Sequence, residues 1–200
     1  MRYSAEHKEE TRRKILDAAA RRFRAEGYEG LGIDGLAKAA GVTNGAFYGH
    51  FATKADAFRA VVTSGLAELR DGIDQCRAEG GEDWLGHFAQ FYFSDPKIGC
   101  AEDACALPSF APEAARAPAE TREAFQTALL EVMRAMAAGL PGETADGRET
   151  RAWIALALLT GGVTLSRAVP DPTLVARIVD ALTPAVVKLA SPEQPSASTL

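Results

Sequence analysis

The chain is predicted to be all-α: an N-terminal three-helix bundle with a helix-turn-helix, followed by a larger helical ligand-binding and dimerisation domain, about nine helices in all. Three observations predict this. No segment of the 200 residues shows sustained β alternation, whereas apolar residues recur at helical spacing along most of the chain. The run Ile33 to Phe51, IDGLAKAAGVTNGAFYGHF, reads as two short helices joined by a glycine. The last third carries two long apolar-striped helices. The expected division is 1–52, a helix-turn-helix DNA-binding domain with an N-terminal arm; 53–189, a helical regulatory and dimerisation domain; and 190–200, a disordered tail.

Taken in order, TRRKILDAAARRFRAEGYEG predicts an amphipathic helix with Ile15, Leu16, Ala19 and Phe23 at helical spacing, ended by Gly27. The next helix runs from about Ile33 to Ala40, with Ile33, Leu36, Ala37 and Ala40 on one face, and Gly41 ends it. Thr43 is the N-cap of the following helix, in which Ala46, Phe47 and His50 fall together and Phe47 with Phe51 makes the apolar seam. That leaves Asn44, Gly45, Tyr48 and Gly49 pointing outward. Thr53 to Asp56 reads as a capping box with Asp in place of Glu, opening a long helix to about Gly80 whose apolar side carries Phe58, Val61, Val62, Leu66, Leu69 and Ile73. Asp83 to Ser94 is a further helix, and Asp95 to Ala104 breaks helicity through Asp-Pro and Gly99. A short helix near Leu107 follows, then Pro118 to Leu140, the turn Pro141-Gly142, and the final helices Glu143 to Ala168 and Pro172 to Leu189. The polar, Pro-containing SPEQPSASTL closes the chain.

The helix-turn-helix implies double-stranded DNA as a partner. A recognition helix needs small side chains near its start, because its backbone must approach the floor of a major groove roughly 12 Å wide. Thr43, Asn44, Gly45 and Ala46 satisfy that. Thr43 and Asn44 can hydrogen-bond to bases or phosphates, Ala46 can meet a thymine methyl, and Tyr48 and His50 can donate to phosphate oxygens. Lys54 adds a charge, and Gly32 caps the preceding helix without a hydroxyl. The same short, glycine-joined helices also occur in all-α proteins that bind no DNA.

Charge is divided unevenly. The net charge of −5 splits into +3 over residues 1–60 and −8 over 61–200, which fits a chain that meets DNA at one end. Arg12, Arg13, Lys14, Arg21, Arg22 and Arg24 are candidate phosphate contacts, two or three of them in use, against the alternative of plain solvation. Residues 2–24 are charged throughout and lack the apolar stretch of a signal peptide. The longest apolar run, Ala152 to Leu159, is far shorter than the roughly 18 residues a membrane span needs. The expectation is a soluble, cytoplasmic, nucleoid-associated protein with no membrane partner.

From Thr11 to Val62 the chain resembles the DNA-binding domain of the TetR family of bacterial regulators. The matching residues are Ile15, Leu16, Ala18, Ala19, Phe23, Gly27, Tyr28, Leu36, Ala37, Ala40, Gly41, Val42, Tyr48, Phe51, Lys54 and Phe58. Two positions depart from the family pattern. Gly32 stands where Thr or Ser is usual, which costs only a few tenths of a kcal/mol as a cap but loses a hydroxyl. Gly49 stands where a bulky or basic residue is frequent, which shifts base reading towards Thr43, Asn44 and the arm.

The final two helices are the expected homodimer interface. Trp153 to Val163 is apolar on nearly every side, and a helix of that kind must be buried on both faces. Trp153, Leu156, Leu159 and Gly162 on the first helix and Val175, Ile178, Val179, Leu182 and Val186 on the second are the candidates, with Gly161 and Gly162 letting a partner helix approach closely. The alternative is a helix buried in its own protomer. The segment LLTGGVTLSRAVPDPTLVARIVDAL resembles the paired helices of the four-helix dimer interface in TetR relatives. A twofold dimer would set two recognition helices about 34 to 36 Å apart and predicts a palindromic operator.

Two kinds of inducer follow from the middle of the chain. Cys100 and Cys105 bracket the acidic AEDA, ahead of the short helix CALPSFAPEAAR. This segment resembles a cysteine-containing TetR branch, that of the N-ethylmaleimide-reductase repressor, with Cys105 at the branch position and Ala104 in place of its usual Gly. A thiol at a helix start is activated by the helix's positive end, while Glu102 and Asp103 oppose that. Cys105 is therefore either a sensor of electrophiles or oxidants, or a small buried hydrophobe. The other trigger is a small molecule in an apolar pocket with candidates Trp84, His87, Phe88, Phe91, Tyr92, Cys105, Phe110, Phe125 and Met133, set against their serving as ordinary core. Such a ligand would act by favouring a dimer geometry in which the recognition helices no longer match successive grooves, with the long helix from Thr53 as lever.

Catalysis is not expected. His7, His50 and His87 are too scattered for metal-ligand spacing, and there is no CxxC, glycine-rich phosphate loop or Ser-His-Asp ordering, so no metal or cofactor is predicted. The reading is a homodimeric repressor of a palindromic operator, released by a small-molecule or electrophile signal. The alternatives are a thiol-based redox sensor and a helical scaffold without DNA binding.

Overall fold

The computed structural model describes residues 5–99 and 104–191. Among them every regular element is helical: α1 (Ala5–Glu26), α2 (Ile33–Ala39), α3 (Asn44–Tyr48), α4 (Lys54–Gly80), a 3₁₀ turn (Gly81–Asp83), α5 (Trp84–Tyr92), α6 (Asp95–Gly99), α7 (Ala106–Arg116), α8 (Ala119–Ala138), α9 (Ala145–Ala168) and α10 (Pro172–Lys188). The helices group into two compact units, residues 1–69 with 99–129 and residues 70–98 with 130–200, so α4 and α8 each contribute to both.

In the first unit, α1 buries Ile15, Ala18, Ala19 and Phe23, whereas Leu16, expected on this face, is half-buried. Phe23, Phe58 of α4 and Phe110 of α7 form a chain of edge-on rings, with centroids 5.2 and 5.7 Å apart. Edge-to-face pairs of this kind add roughly 0.5–1.5 kcal/mol each beyond their area burial. Gly27 ends α1 at φ 73°, a left-handed conformation that favours glycine, with its N–H on the Phe23 carbonyl at 3.0 Å. Upstream, the structure corrects the expected arm. Residues 5–10 already form the first turns of α1, because Ala, Glu and Lys are good helix formers and a Lys14 to Glu10 ion pair at 2.7 Å supports the turn.

The second unit is built on α9, whose Ala152, Ala155, Leu156, Leu159 and Val163 are buried, with α10 and α5 packed against it. Trp84, Leu85, Phe88 and Tyr92 of α5 fill the same core, and Trp84 Nε1 donates to the Gly139 carbonyl at 3.1 Å. Thr144 and Asp171 cap α9 and α10 through their side-chain oxygens, and Pro172 follows at the first helical turn, where its missing N–H costs nothing. One expected break is in part helical, since Asp95–Gly99 closes a single turn as α6. Of the expected tail, residues 192–200 lie outside the described residues, while Arg151 donates to the carbonyls of Leu189 and Ser191 at 3.0 and 3.2 Å.

Candidate nucleic-acid interface

The turn between α2 and α3 is fixed by backbone hydrogen bonds. Gly41 sits at φ 67°; its N–H donates to the Lys38 carbonyl at 3.1 Å, and the Val42 N–H donates to the Ala37 carbonyl at 3.0 Å. This pair of bonds is the Schellman closure, which requires a left-handed residue where the glycine stands. Thr43 then caps α3, its hydroxyl accepting from the Ala46 N–H at 3.1 Å. Phe47 is fully buried and Phe51 nearly so, 5.7 Å apart, and they seat the short helix on the bundle. The Arg12 guanidinium lies 4.9 Å over the Phe51 ring.

The residues left outside are Thr43, Asn44, Gly45, Tyr48 and Gly49, all exposed, with Ala46 and His50 half-buried. Tyr48 keeps 54% of its surface in solvent and packs edge-on against Phe47 only along one side of its ring. A Cβ at Gly45 would meet nothing closer than 3.9 Å, so the start of α3 presents open space to an approaching surface. Gly49 lies in the ordinary helical region at φ −66°, and glycine is not required there by the backbone. Gly32 caps α2 through its backbone, its carbonyl accepting from the Leu36 N–H at 3.1 Å, with no side-chain bond. Burial, with Lys8 and Arg12 nearby, pulls the His50 pKa down against the opposing effect of Glu9, so at neutral pH it offers one N–H rather than a cation.

Lys54 is half-buried. Its ammonium turns inward, donating to the carbonyls of Tyr28 and Leu31 at 2.9 and 3.3 Å while lying 4.1 Å over the Tyr28 ring. Two carbonyls between α1 and α2 thus take up two of the three N–H groups of its ammonium. Several N-terminal cations are similarly engaged: Lys14 with Glu10, Arg22 with Glu26, and Arg24 over Phe110 at 5.4 Å. Arg13 and Arg21 are exposed on α1. Sequence reasoning missed Asp34, which lies in the first turn of α2 and accepts a hydrogen bond from Asn44 Nδ2 at 2.5 Å.

Residues 15–61 match the family model for bacterial regulatory proteins of the tetR family. The matched stretch spans the helix-turn-helix and is similar to that family there. SrpR, an HTH-type transcriptional regulator of Pseudomonas putida, is 44% identical over 63 residues, which is 32% of this chain and 30% of SrpR. AcrR of Shigella flexneri is 46% identical over 57 residues, 28% of this chain and 26% of AcrR. The curated relatives are matched over only 26% to 47% of their own lengths. These relatives are transcriptional regulators, not enzymes. The reduced form of E. coli NemR shares the fold at a TM-score of 0.77 and 16% identity, over 91% of this chain and 97% of NemR. A TetR-family regulator from Cytophaga hutchinsonii does so at 0.74 and 16%, over 96% of this chain and all of its own. At such identities the likeness shows the fold alone.

The remaining candidate residues are dispersed. In the first unit, Phe110 is core and Phe125 lines an open groove of about 490 Å³ between α7 and α8, together with Ala111, Ala114, Ala119, Arg122 and Leu129. In the second unit, Met133 lines another groove, of about 340 Å³. Trp84, Phe88 and Tyr92 are core there, whereas His87 and Phe91 are exposed, the latter with Lys97 Nζ 5.2 Å above its ring. None of the described grooves collects the expected set, since Trp84, Phe88, Tyr92 and Phe110 are each buried in core. Cys105 is half-buried at the N-cap of α7, its carbonyl accepting from the Ser109 hydroxyl at 2.8 Å; Cys100 lies outside the described residues.

The dimer candidates divide by face. Leu156, Leu159, Gly162 and Val186 are buried within the protomer, which removes them from any outer surface, while Trp153, Val175, Ile178, Val179 and Leu182 are half-buried. Gly162 does not await a partner. A Cβ there would lie 2.6 Å from Phe93 and 2.7 Å from Leu182 of the same chain. Around Gly161 nothing stands within 4 Å.

Proposed function

We propose that the chain is a homodimeric DNA-binding transcriptional repressor that reads a palindromic operator through α3 and is released by a small-molecule or electrophile signal. The observation that carries it is the α2–Gly41–α3 turn, with Thr43, Asn44 and Tyr48 turned outward, inside a domain matched by the tetR family model. Residues 1–52 form the reading domain in this account, 53–189 the regulatory and dimerisation domain, and 190–200 a tail. DNA contacts fall to Thr43, Asn44, Gly45, Ala46, Tyr48 and His50, with Gly32 beside them.

Dimerisation is supported by the second face of α9. Ile154, Leu158, Gly161 and Leu165 follow at i, i+4, i+7 and i+11, opposite the buried stripe, and Ile154 and Leu165 are 44% and 57% exposed. On α10, Leu174, Ile178, Ala181 and Ala185 repeat the same spacing and are exposed or half-buried. An apolar stripe of this extent on two neighbouring helices marks an interface. Release is supported by the groove between α7 and α8 and by the Cys105 thiol at the start of α7, in the manner of the cysteine-containing branch.

Footprinting or a gel shift with the protein's own upstream region tests the reading. A protected palindrome with two half-sites one helical turn apart is expected. No protection at low salt would overturn DNA binding and leave the helical scaffold. Mass spectrometry after mild N-ethylmaleimide treatment tests the thiol: modification of Cys105 with loss of DNA affinity supports release by electrophiles, and an unmodified, fully binding protein overturns it.

A further inference from the structure

We propose that Asp34 is a positioning residue for base reading: it locks the side-chain amide of Asn44 so that α3 selects adenine over guanine at one position of each operator half-site. This rests on the DNA-binding reading above and adds a specificity determinant to it.

The geometry is simple. Asp34 Oδ1 accepts from Asn44 Nδ2 at 2.5 Å, joining the first turn of α2 to the first residue of α3. Both side chains are exposed, so the hydrogen bond rather than packing sets the orientation of the amide. An ionised carboxylate only accepts. The amide must therefore turn its NH2 towards Asp34, since the flipped arrangement would place two acceptor oxygens together. One of its two N–H groups is thereby taken, and one N–H and Oδ1 remain.

That remainder is a donor beside an acceptor. In the major groove adenine presents the N7 acceptor beside the N6 donor, which an asparagine amide meets with two hydrogen bonds; guanine presents two acceptors, N7 and O6. An unrestrained amide can offer guanine both of its N–H groups. With Asp34 holding one of them it cannot, and the carboxylate's own charge further disfavours guanine's acceptor edge. The carboxylate also repels phosphates of any sequence. Asp34 thus lowers affinity in general while raising the contrast between two bases, which is how specificity is gained by disfavouring the wrong partner.

The test is selection of bound sequences from a randomised DNA pool by the full-length wild type, D34A, D34N and N44A, followed by affinities for the selected operator with A or G at each position. For the wild type we expect one position per half-site with an A-over-G preference of roughly 5- to 150-fold, the range of one bidentate contact. N44A and D34A should both cut that preference to a few-fold at the same position and leave the other positions unchanged, while D34A binds non-specific DNA more tightly. D34N keeps an acceptor oxygen but can also donate, so it no longer dictates which way the Asn44 amide faces and should lose part of the preference, and its thermal melting guards against misfolding as the cause. A wild-type A-over-G ratio retained in D34A, or effects of D34A and N44A at different positions, would overturn the proposal. A wild type that selects no sequence would instead overturn the DNA-binding reading on which it rests.

Discussion

Tyr48 and Lys54 lie six positions apart, and their surroundings differ. The Tyr48 hydroxyl reaches into solvent from the outward side of α3, and its removal in Tyr48→Phe should weaken DNA binding about equally for all operator variants, by about 0.5–1.5 kcal/mol. Competition gel shifts with mutated half-sites check this, and unaltered affinity removes Tyr48 from the contact set. Lys54 instead ties two carbonyls and the Tyr28 ring. Lys54→Met should lower unfolding stability by about 1–3 kcal/mol in urea titrations, since two carbonyls lose a charged donor. It should leave the salt slope of DNA binding unchanged, whereas a slope reduced by about one would show that Lys54 neutralises a phosphate. The outward place of Tyr48 was legible in helical spacing. The inward turn of Lys54 was not, because its partners stand 26 and 23 residues away and only the fold brings them near. Asp34 escaped notice for the same reason: nothing in the sequence says that the first turn of α2 meets the first residue of α3.

At the scale of elements, periodicity and caps were legible because they are local. Gly27 and Gly41 both adopt the left-handed conformation their positions after apolar helices call for, and Thr43, Thr144 and Asp171 cap the helices that follow them. What spacing could not decide was which apolar face meets the chain's own core. The sequence marks α9 as apolar nearly all round, and the buried stripe turned out to hold Leu156, Leu159 and Gly162, leaving Ile154 and Leu165 outside. The pocket suffers the same ambiguity, since Trp84, Phe88 and Tyr92 have the spacing of a lining and serve as core. Gly162→Ala should therefore destabilise the protein by about 1–3 kcal/mol through overpacking against Phe93 and Leu182, although alanine is the better helix former. Thermal melting checks it, and a gain in stability would mean that α5 and α10 give way.

At the scale of the whole molecule, the proposed dimer and the division of charge belong together. An N-terminal segment of +3 and a remainder of −8 leave a single chain with little net attraction for a polyanion, and twofold pairing of two reading domains supplies affinity through effective concentration. Leu165→Glu places a charge at the C-terminal end of the exposed stripe of α9 while leaving the buried stripe untouched. It should give a folded monomer by light scattering at micromolar concentration and a loss of operator affinity of at least about 100-fold, the lower range of avidity gains. A variant that stays dimeric would show that the stripe is not the interface.

Gly161 and Gly162 are neighbours in sequence, yet one faces open space and the other lies against two side chains of its own protomer. Drift at 162 is penalised by the fold itself, in any partnership. Drift at 161 would be felt only across the proposed dimer interface. A gene duplicate could thus acquire a bulkier residue at 161, and a compensating smaller one at a facing position, and so cease to mix with its parent while folding as before. The two adjacent glycines separate the part of α9 that evolution must keep from the part by which copies of such a regulator could become insulated from one another.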